Sequence, residues 1–217
     1  MEKLFIFDFD GTIADTKSIV RRGLLDYSKE NSLPTPNVDL ICNYYANPDS
    51  YDFGWGVDKQ KQKYLMDKAF IEITEKITDG VYIPEIFEEA NKIIEKLYND
   101  GYTLTICTSR EKRACDRVLE YYGIDKYFTT MRTRDDVVMR NKKPKPNPDL
   151  ILEIIDELGF DKKNTFIIGD TDGDVNGGKN ANINTIAVDW GYFSKDELKA
   201  LNPDFIVDSL EDFLTIL

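Results

Sequence analysis

Leu4 to Phe7 is an unbroken apolar run that ends abruptly in Asp8-Phe9-Asp10-Gly11-Thr12. Four apolar residues in a row, bounded by polar ones, predict a strand buried on both faces. Such strands belong to parallel sheets with helices covering each side. In an open sheet of that kind, ligands sit beyond the carboxyl ends of the strands, which aims Asp8 at a crevice. Two carboxylates two apart are poor material for simply ending a strand. Gly11 lets the chain turn tightly and frees nearby amides to face an anion.

Short apolar runs recur at Leu104–Cys107, Phe166–Ile168, Ile186–Val188 and Phe205–Val207, and helical periodicity fills the gaps. Ile86, Ala90, Ile93, Ile94 and Leu97 share one helix face, with Gly101 as the stop. Arg113–Tyr122, Pro148–Leu158 and Val175–Ala181 are further helix candidates. Ser194-x-x-Glu197 and Ser209-x-x-Asp212 read as capping boxes before short final helices. Alternating strands and helices predict an α/β fold: a doubly wound parallel sheet with right-handed crossovers.

Residues 17–82 break that rhythm. Helical patterns at Ser18–Glu30 and Asp58–Thr78 flank a turn-rich stretch holding NSLPTPN and NPDSYDFGWG, with no strand signal. The expected division is therefore a core of residues 1–16 and 83–217 and a helical insertion of residues 17–82.

The 217 residues carry 28 basic and 40 acidic side chains, a net charge of −12, and no histidine. An acidic surface repels nucleic-acid backbone and anionic membrane, so partners of neither kind are expected. Without histidine there is no Ser-His or Cys-His pair and no histidine-based zinc site. Cys42, Cys107 and Cys115 form no CxxC motif and suit free thiols in a reducing cytoplasm. The apolar run before Asp8 is too short for a secretory leader, which points the same way.

A second acidic strand end is Gly169-Asp170-Thr171-Asp172-Gly173-Asp174, after Phe166–Ile168. Clustered carboxylates suit a hard cation such as Mg2+. An EF-hand reading fails, because counted from Asp170 its glycine and glutamate positions hold Val175 and Ala181. Thr108-Ser109, at the end of Leu104–Cys107, offers hydroxyls and amides that can grip phosphate oxygens. Lys142-Lys143-Pro144-Lys145-Pro146-Asn147-Pro148 sets cations on a loop stiffened by three prolines.

Together these four pieces, in this order, resemble the haloacid dehalogenase superfamily, and specifically its phosphatases with a helical cap inserted after the first motif. Asp8 and Asp10 fit the first motif, Thr108 the second, Lys143 in K-P-x-P the third, and Gly169-Asp170 with Asp174 the fourth. The tail from Val188-Asp189-Trp190-Gly191-Tyr192 to Asn202-Pro203-Asp204 is similar to that of phosphoglycolate-phosphatase-type members. Gly177-Gly178 and Ala181-Asn182 depart from the usual pattern at positions that touch helix stability and the following turn.

The resemblance implies a magnesium-dependent phosphatase acting on a small phosphorylated metabolite, phosphoglycolate being the nominal one, through an aspartyl phosphate. It makes Asp8 the nucleophile, ionised at neutral pH without help from a histidine, since a free aspartate titrates near about 3.9. It makes Asp10 the general acid and base. Thr108, Ser109 and Lys143 would hold the phosphoryl group, with Lys142 and Lys145 competing for the lysine role and register the only discriminator. It assigns the metal to the side chains of Asp8 and Asp170, the backbone carbonyl of Asp10, and Asp174 through water. Arg21, Arg22, Trp55 and the Gly54–Gly56 turn are the cap's candidates for substrate contact. Two readings compete: a phosphosugar mutase, whose relatives commonly carry a cap histidine that this chain lacks, and a regulatory module that has lost catalysis.

Overall fold

A computed structural model describes residues 2–40 and 52–217. Cys42 and the Asn47–Tyr51 part of the turn-rich stretch lie outside the described residues. The chain divides into two compact units, one of Met1–Asp15 with Glu85–Leu217 and one of Thr16–Pro84.

The first unit is built on six parallel strands: β1 (Leu4–Phe7), β2 (Thr103–Cys107), β3 (Thr130–Arg132), β4 (Thr165–Gly169), β5 (Asn184–Val188) and β6 (Phe205–Val207). Their order is β3-β2-β1-β4-β5-β6. The chain thus starts at the centre, winds outward through β2 and β3, and returns to the other side of β1 at β4. That reversal is the switch point at which an open parallel sheet leaves a crevice at its carboxyl edge. Phe7 lies level with Ile106 of β2 and Ile168 of β4, which brings the ends of three strands together.

Every residue of β1 is buried, as its uninterrupted apolar run requires. On one face Leu4 and Ile6 pack with Ile167 and Cys107 against Leu150, Ile151, Ile154 and Ile155. On the other, Phe5 stacks on Phe166 with centroids 5.1 Å apart and meets Tyr102 edge-on at 5.5 Å.

The described helices of the insertion are α1 (Thr16–Glu30) and α2 (Lys59–Thr78), the latter capped by Asp58, whose side chain accepts from the Lys61 N–H. Among the described residues the insertion has no strand. Trp55 is 2% exposed and its indole donates to Ser28 Oγ at 2.9 Å. It is a core residue of this unit, which tells against the substrate contact for which it is one candidate. Arg21 pairs with Asp39, and Arg22 lies over the Tyr82 ring.

The remaining helices belong to the first unit: α3 (Glu88–Asn99), α4 (Lys112–Tyr122), α5 (Arg134–Met139), α6 (Asp149–Leu158), α7 (Asp172–Ala181), α8 (Lys195–Ala200) and α9 (Leu210–Leu214). Ser194 and Glu197 form the expected reciprocal box, and Ser209 accepts from the Asp212 N–H. The chain also forms β3 and α5, which apolar periodicity does not announce. α5 starts at a capping box in which the N–H and hydroxyl of Thr133 both donate to Asp136. Asn182 ends α7 in the left-handed conformation that glycine usually supplies there (φ 58°). Gly178 is explained by packing: a Cβ there would stand 2.5 Å from Ile167 and 2.6 Å from Thr185, so α7 lies flat on the sheet only without one. Asp204 of the tail motif is structural, taking hydrogen bonds from the Thr185 N–H and hydroxyl at 2.7 and 2.8 Å.

Candidate active site

The strand ends gather Asp8, Asp170 and Asp174. One carboxylate oxygen from each lies within 4.8 Å of the others, and all three residues are buried. β1 delivers Asp8, whose N–H donates to the Ile168 carbonyl at 2.8 Å. β4 delivers Asp170, and the first turn of α7 delivers Asp174.

Each carboxylate is held. Asp170 accepts from the Thr12 hydroxyl at 2.8 Å through one oxygen and from the Tyr192 N–H at 2.7 Å through the other. Added Cβ atoms on Gly11 and Gly191 would stand 2.2 and 2.3 Å from that carboxylate, so both positions must be glycine for Asp170 to fit. Trp190 donates to the Thr12 carbonyl at 3.1 Å and seats the tail against the first motif. Asp174 accepts from the N–H and hydroxyl of Thr171, so it is also the N3 residue of α7's capping box.

The cation at this cluster is Lys145. Its Nζ donates to Asp8 at 2.7 Å and to Asp174 at 2.5 Å, and its side chain is 7% exposed. This corrects the register that favoured Lys143. The Lys143 N–H donates to Asp149 at 3.1 Å, and the residue is exposed. Lys142 points to Glu153 at 3.9 Å. A turn closed by the Asn147 N–H on the Pro144 carbonyl carries the loop past Lys143 and turns Lys145 inward. Asn180 of α7 donates to the Pro146 carbonyl and pins the loop, while Gly177 leaves room beside Lys145.

Burial, then the charge of Asp174, raises the Asp8 pKa from 3.8 to about 7 against the opposing pull of Lys145. Burial, then Asp174 and Asp8, raises Asp170 well above its ordinary value. Burial disfavours the Lys145 ammonium, but Asp174 and Asp8 outweigh it and raise its pKa. Three buried carboxylates against one ammonium lack positive charge. With oxygens no more than 4.8 Å apart, each carboxylate pair repels by at least about 3.5 kcal/mol at an effective dielectric of 20. An all-oxygen donor set with that deficit fits a divalent hard cation, Mg2+ included. Burial pushes the Cys107 thiol up to about 12 and Cys115 well above its usual range, which suits neither to act as a thiolate nucleophile.

Thr108 is buried one residue past β2, and its N–H donates to the Arg132 carbonyl. Ser109 beside it is exposed. Asp10 is not one of the three clustered carboxylates; it pairs with Arg110, whose Nε donates to both of its oxygens at 2.7 and 3.0 Å. Arg110 escapes a reading by motif, since a single arginine after Thr108-Ser109 has no periodicity or spacing to mark it. The role of Gly191 and Tyr192 is equally hidden, because their contact with Asp170 spans about twenty residues of chain.

The "Haloacid dehalogenase-like hydrolase" family matches residues 5–188 of this chain. Pyrophosphatase PpaX of Oceanobacillus iheyensis is 28% identical over 99% of this chain and 96% of its own length. A haloacid dehalogenase-like family protein of Streptococcus pneumoniae superposes with a TM-score of 0.77 at 20% identity, over 99% of this chain and 98% of that one. A predicted phosphoglycolate phosphatase of Haemophilus somnus superposes with a TM-score of 0.79 at 20% identity, over 99% and 97%. At those identities the two structures speak to the fold.

Proposed function

The chain belongs to the haloacid dehalogenase-like hydrolase family, and on that premise we propose that it is a phosphatase that passes the phosphoryl group of a small ester to Asp8 and then to water. The observation that carries this reading is the Asp8 carboxylate at the switch point of the sheet, hydrogen-bonded to a buried lysine and flanked by two further carboxylates.

Asp8 attacks phosphorus as the ester oxygen leaves, forming an Oδ–P bond and breaking the P–O bond of the ester. Asp10 gives its proton to the leaving oxygen, then takes one from the water that cleaves the aspartyl phosphate. Lys145 offsets negative charge on Asp8 and on the phosphoryl oxygens; Thr108 and Ser109 hold that group. Mg2+, held by Asp8, Asp170 and the Asp10 carbonyl with Asp174 beside it, would neutralise carboxylates and phosphate together. Thr12 and Tyr192 orient Asp170 for that role, as outer partners of metal ligands do.

Phosphoglycolate is the first substrate to test, on the tail resemblance; pyrophosphate is the second, on the relative named pyrophosphatase PpaX. The free thiols of Cys107 and Cys115 support a reducing compartment, the cytoplasm. No helix among the described residues is long and apolar enough to cross a membrane.

Phosphate release from p-nitrophenyl phosphate, phosphoglycolate and pyrophosphate tests the proposal, with Mg2+ or with chelator, for wild type and Asp8→Asn. Release that needs Mg2+ and is lost in Asp8→Asn supports it. Isomerisation of a sugar phosphate without phosphate release would replace it with the mutase reading.

A further inference from the structure

We propose that Arg110 is a positioning residue that fixes the Asp10 carboxyl for proton transfer; this rests on the acid and base role given to Asp10 above. Arg110 follows the phosphate-gripping pair Thr108-Ser109 on the loop beyond β2. Its backbone is tied at both ends: its N–H donates to Thr108 Oγ1 at 3.2 Å, and its carbonyl accepts from the Arg134 N–H at 2.9 Å. Its side chain is only 10% exposed; burial works against its charge, and its neighbours, Asp10 first among them, together more than offset that cost.

The contact geometry sets the role. The single Nε–H faces both oxygens of Asp10, at 2.7 and 3.0 Å, which fixes the plane and rotation of the carboxyl about its own bond. A carboxyl that carries a proton on one oxygen still accepts on the other, so the contact survives both protonation states of the cycle. Asp10 itself is partly exposed, and among the described residues no other side chain forms an ion pair with it. A general acid held this way loses effectiveness when its holder goes, because misplacement by about 1 Å can cost about a hundredfold in rate.

The test uses leaving groups. p-Nitrophenolate departs without a proton, whereas an alkoxide needs one, and kcat/KM covers only the steps up to the aspartyl phosphate. Measured with Mg2+, Arg110→Met should lower kcat/KM for the best alkyl phosphate at least about tenfold more than for p-nitrophenyl phosphate. Arg110→Lys should recover part of that loss. Asp10→Asn should show the same bias more strongly, and Arg110→Met added to it should cost little more. The ratio of the two kcat/KM values does not depend on the fraction of enzyme folded. Equal losses on both esters in Arg110→Met, with the bias intact in Asp10→Asn, would reduce Arg110 to a structural residue and overturn the proposal. No bias in Asp10→Asn would instead remove the acid role of Asp10, and the proposal would fall with it.

Discussion

Replacing Lys145 by methionine keeps most of the unbranched stem of the side chain and removes its charge from between Asp8 and Asp174. In the metal-free protein this leaves three buried carboxylates facing one another without a cation. At 2.7 Å and an effective dielectric of 20, the attraction to Asp8 alone is worth about 6 kcal/mol before desolvation. Most of that gross figure is offset by the cost of burying the ammonium. Breaking a buried pair by removing one partner costs about 3–5 kcal/mol, because the other charge stays behind. For a domain of this size that corresponds to a fall in Tm of roughly 6–20 °C. Asp8 already titrates near about 7 with the lysine present, so the orphaned carboxylates can escape by taking up protons. The penalty should therefore shrink as pH falls from 8 to 6. Lys143→Met, at an exposed position, should change stability by no more than about 0.5 kcal/mol. The assay is thermal unfolding in chelator at both pH values, with phosphatase activity in Mg2+ read in parallel. Activity should fall by roughly 10²–10³-fold in Lys145→Met and stay nearly unchanged in Lys143→Met. A larger effect at Lys143 on either readout, or a loss below about 1 kcal/mol at Lys145, would refute the reasoning.

Three further outcomes follow from the same structure. The folded-state pKa of Asp8 lies above its ordinary value, so between pH 3.8 and about 7 the native state binds more protons than the unfolded one. Metal-free protein should lose stability as pH rises through that window, Asp170 acting in the same direction, and Mg2+ should flatten the slope in denaturant titrations. Thr105 is fully buried on β2, and among the described residues its hydroxyl has no hydrogen-bond partner. Thr105→Val should raise stability by about 1 kcal/mol in urea unfolding, and a loss would mean the hydroxyl is satisfied. Gly178→Ala must displace Ile167 or Thr185 and should destabilise by about 1–3 kcal/mol. Gly177→Ala is tight only against the flexible end of Ile151, at 3.2 Å, with Lys145 Cγ and Pro146 Cα at ordinary contact distances of 3.7 and 3.9 Å, and its gain in helix propensity of about 1 kcal/mol should offset most of the cost.

The central strands and the two acidic strand ends were legible because their signals are local. Leu4–Phe7 and Phe166–Ile168 are apolar on both faces, and ending a strand does not by itself call for the carboxylates that follow each one. β3 was not legible: Thr130–Arg132 is a three-residue edge strand with mixed polarity, recognisable only by its pairing with Thr105–Cys107. The lysine register was hidden for a different reason. Lys142, Lys143 and Lys145 are chemically alike in sequence, and only the turn at Pro144–Asn147 and the seat beside Gly177 choose among them. Trp55, one candidate for substrate contact, turns inward instead, because its indole finds a buried acceptor in Ser28 across a gap of 27 residues. Arg110 and Tyr192 act through tertiary contacts, which no local pattern encodes.

The central claim is that Asp8 carries the phosphoryl group. Its most direct test is to incubate Asp10→Asn enzyme with p-nitrophenyl phosphate and Mg2+, quench in acid, and map the modified peptide by mass spectrometry. This variant lacks the base for the second step but needs no acid for the first, so the intermediate should accumulate. The account predicts one phosphoryl group on the peptide holding Asp8, removed by hydroxylamine and absent when Asp8→Asn is added. Release of p-nitrophenol with no phosphorylated peptide, or with the group on another residue, would contradict it.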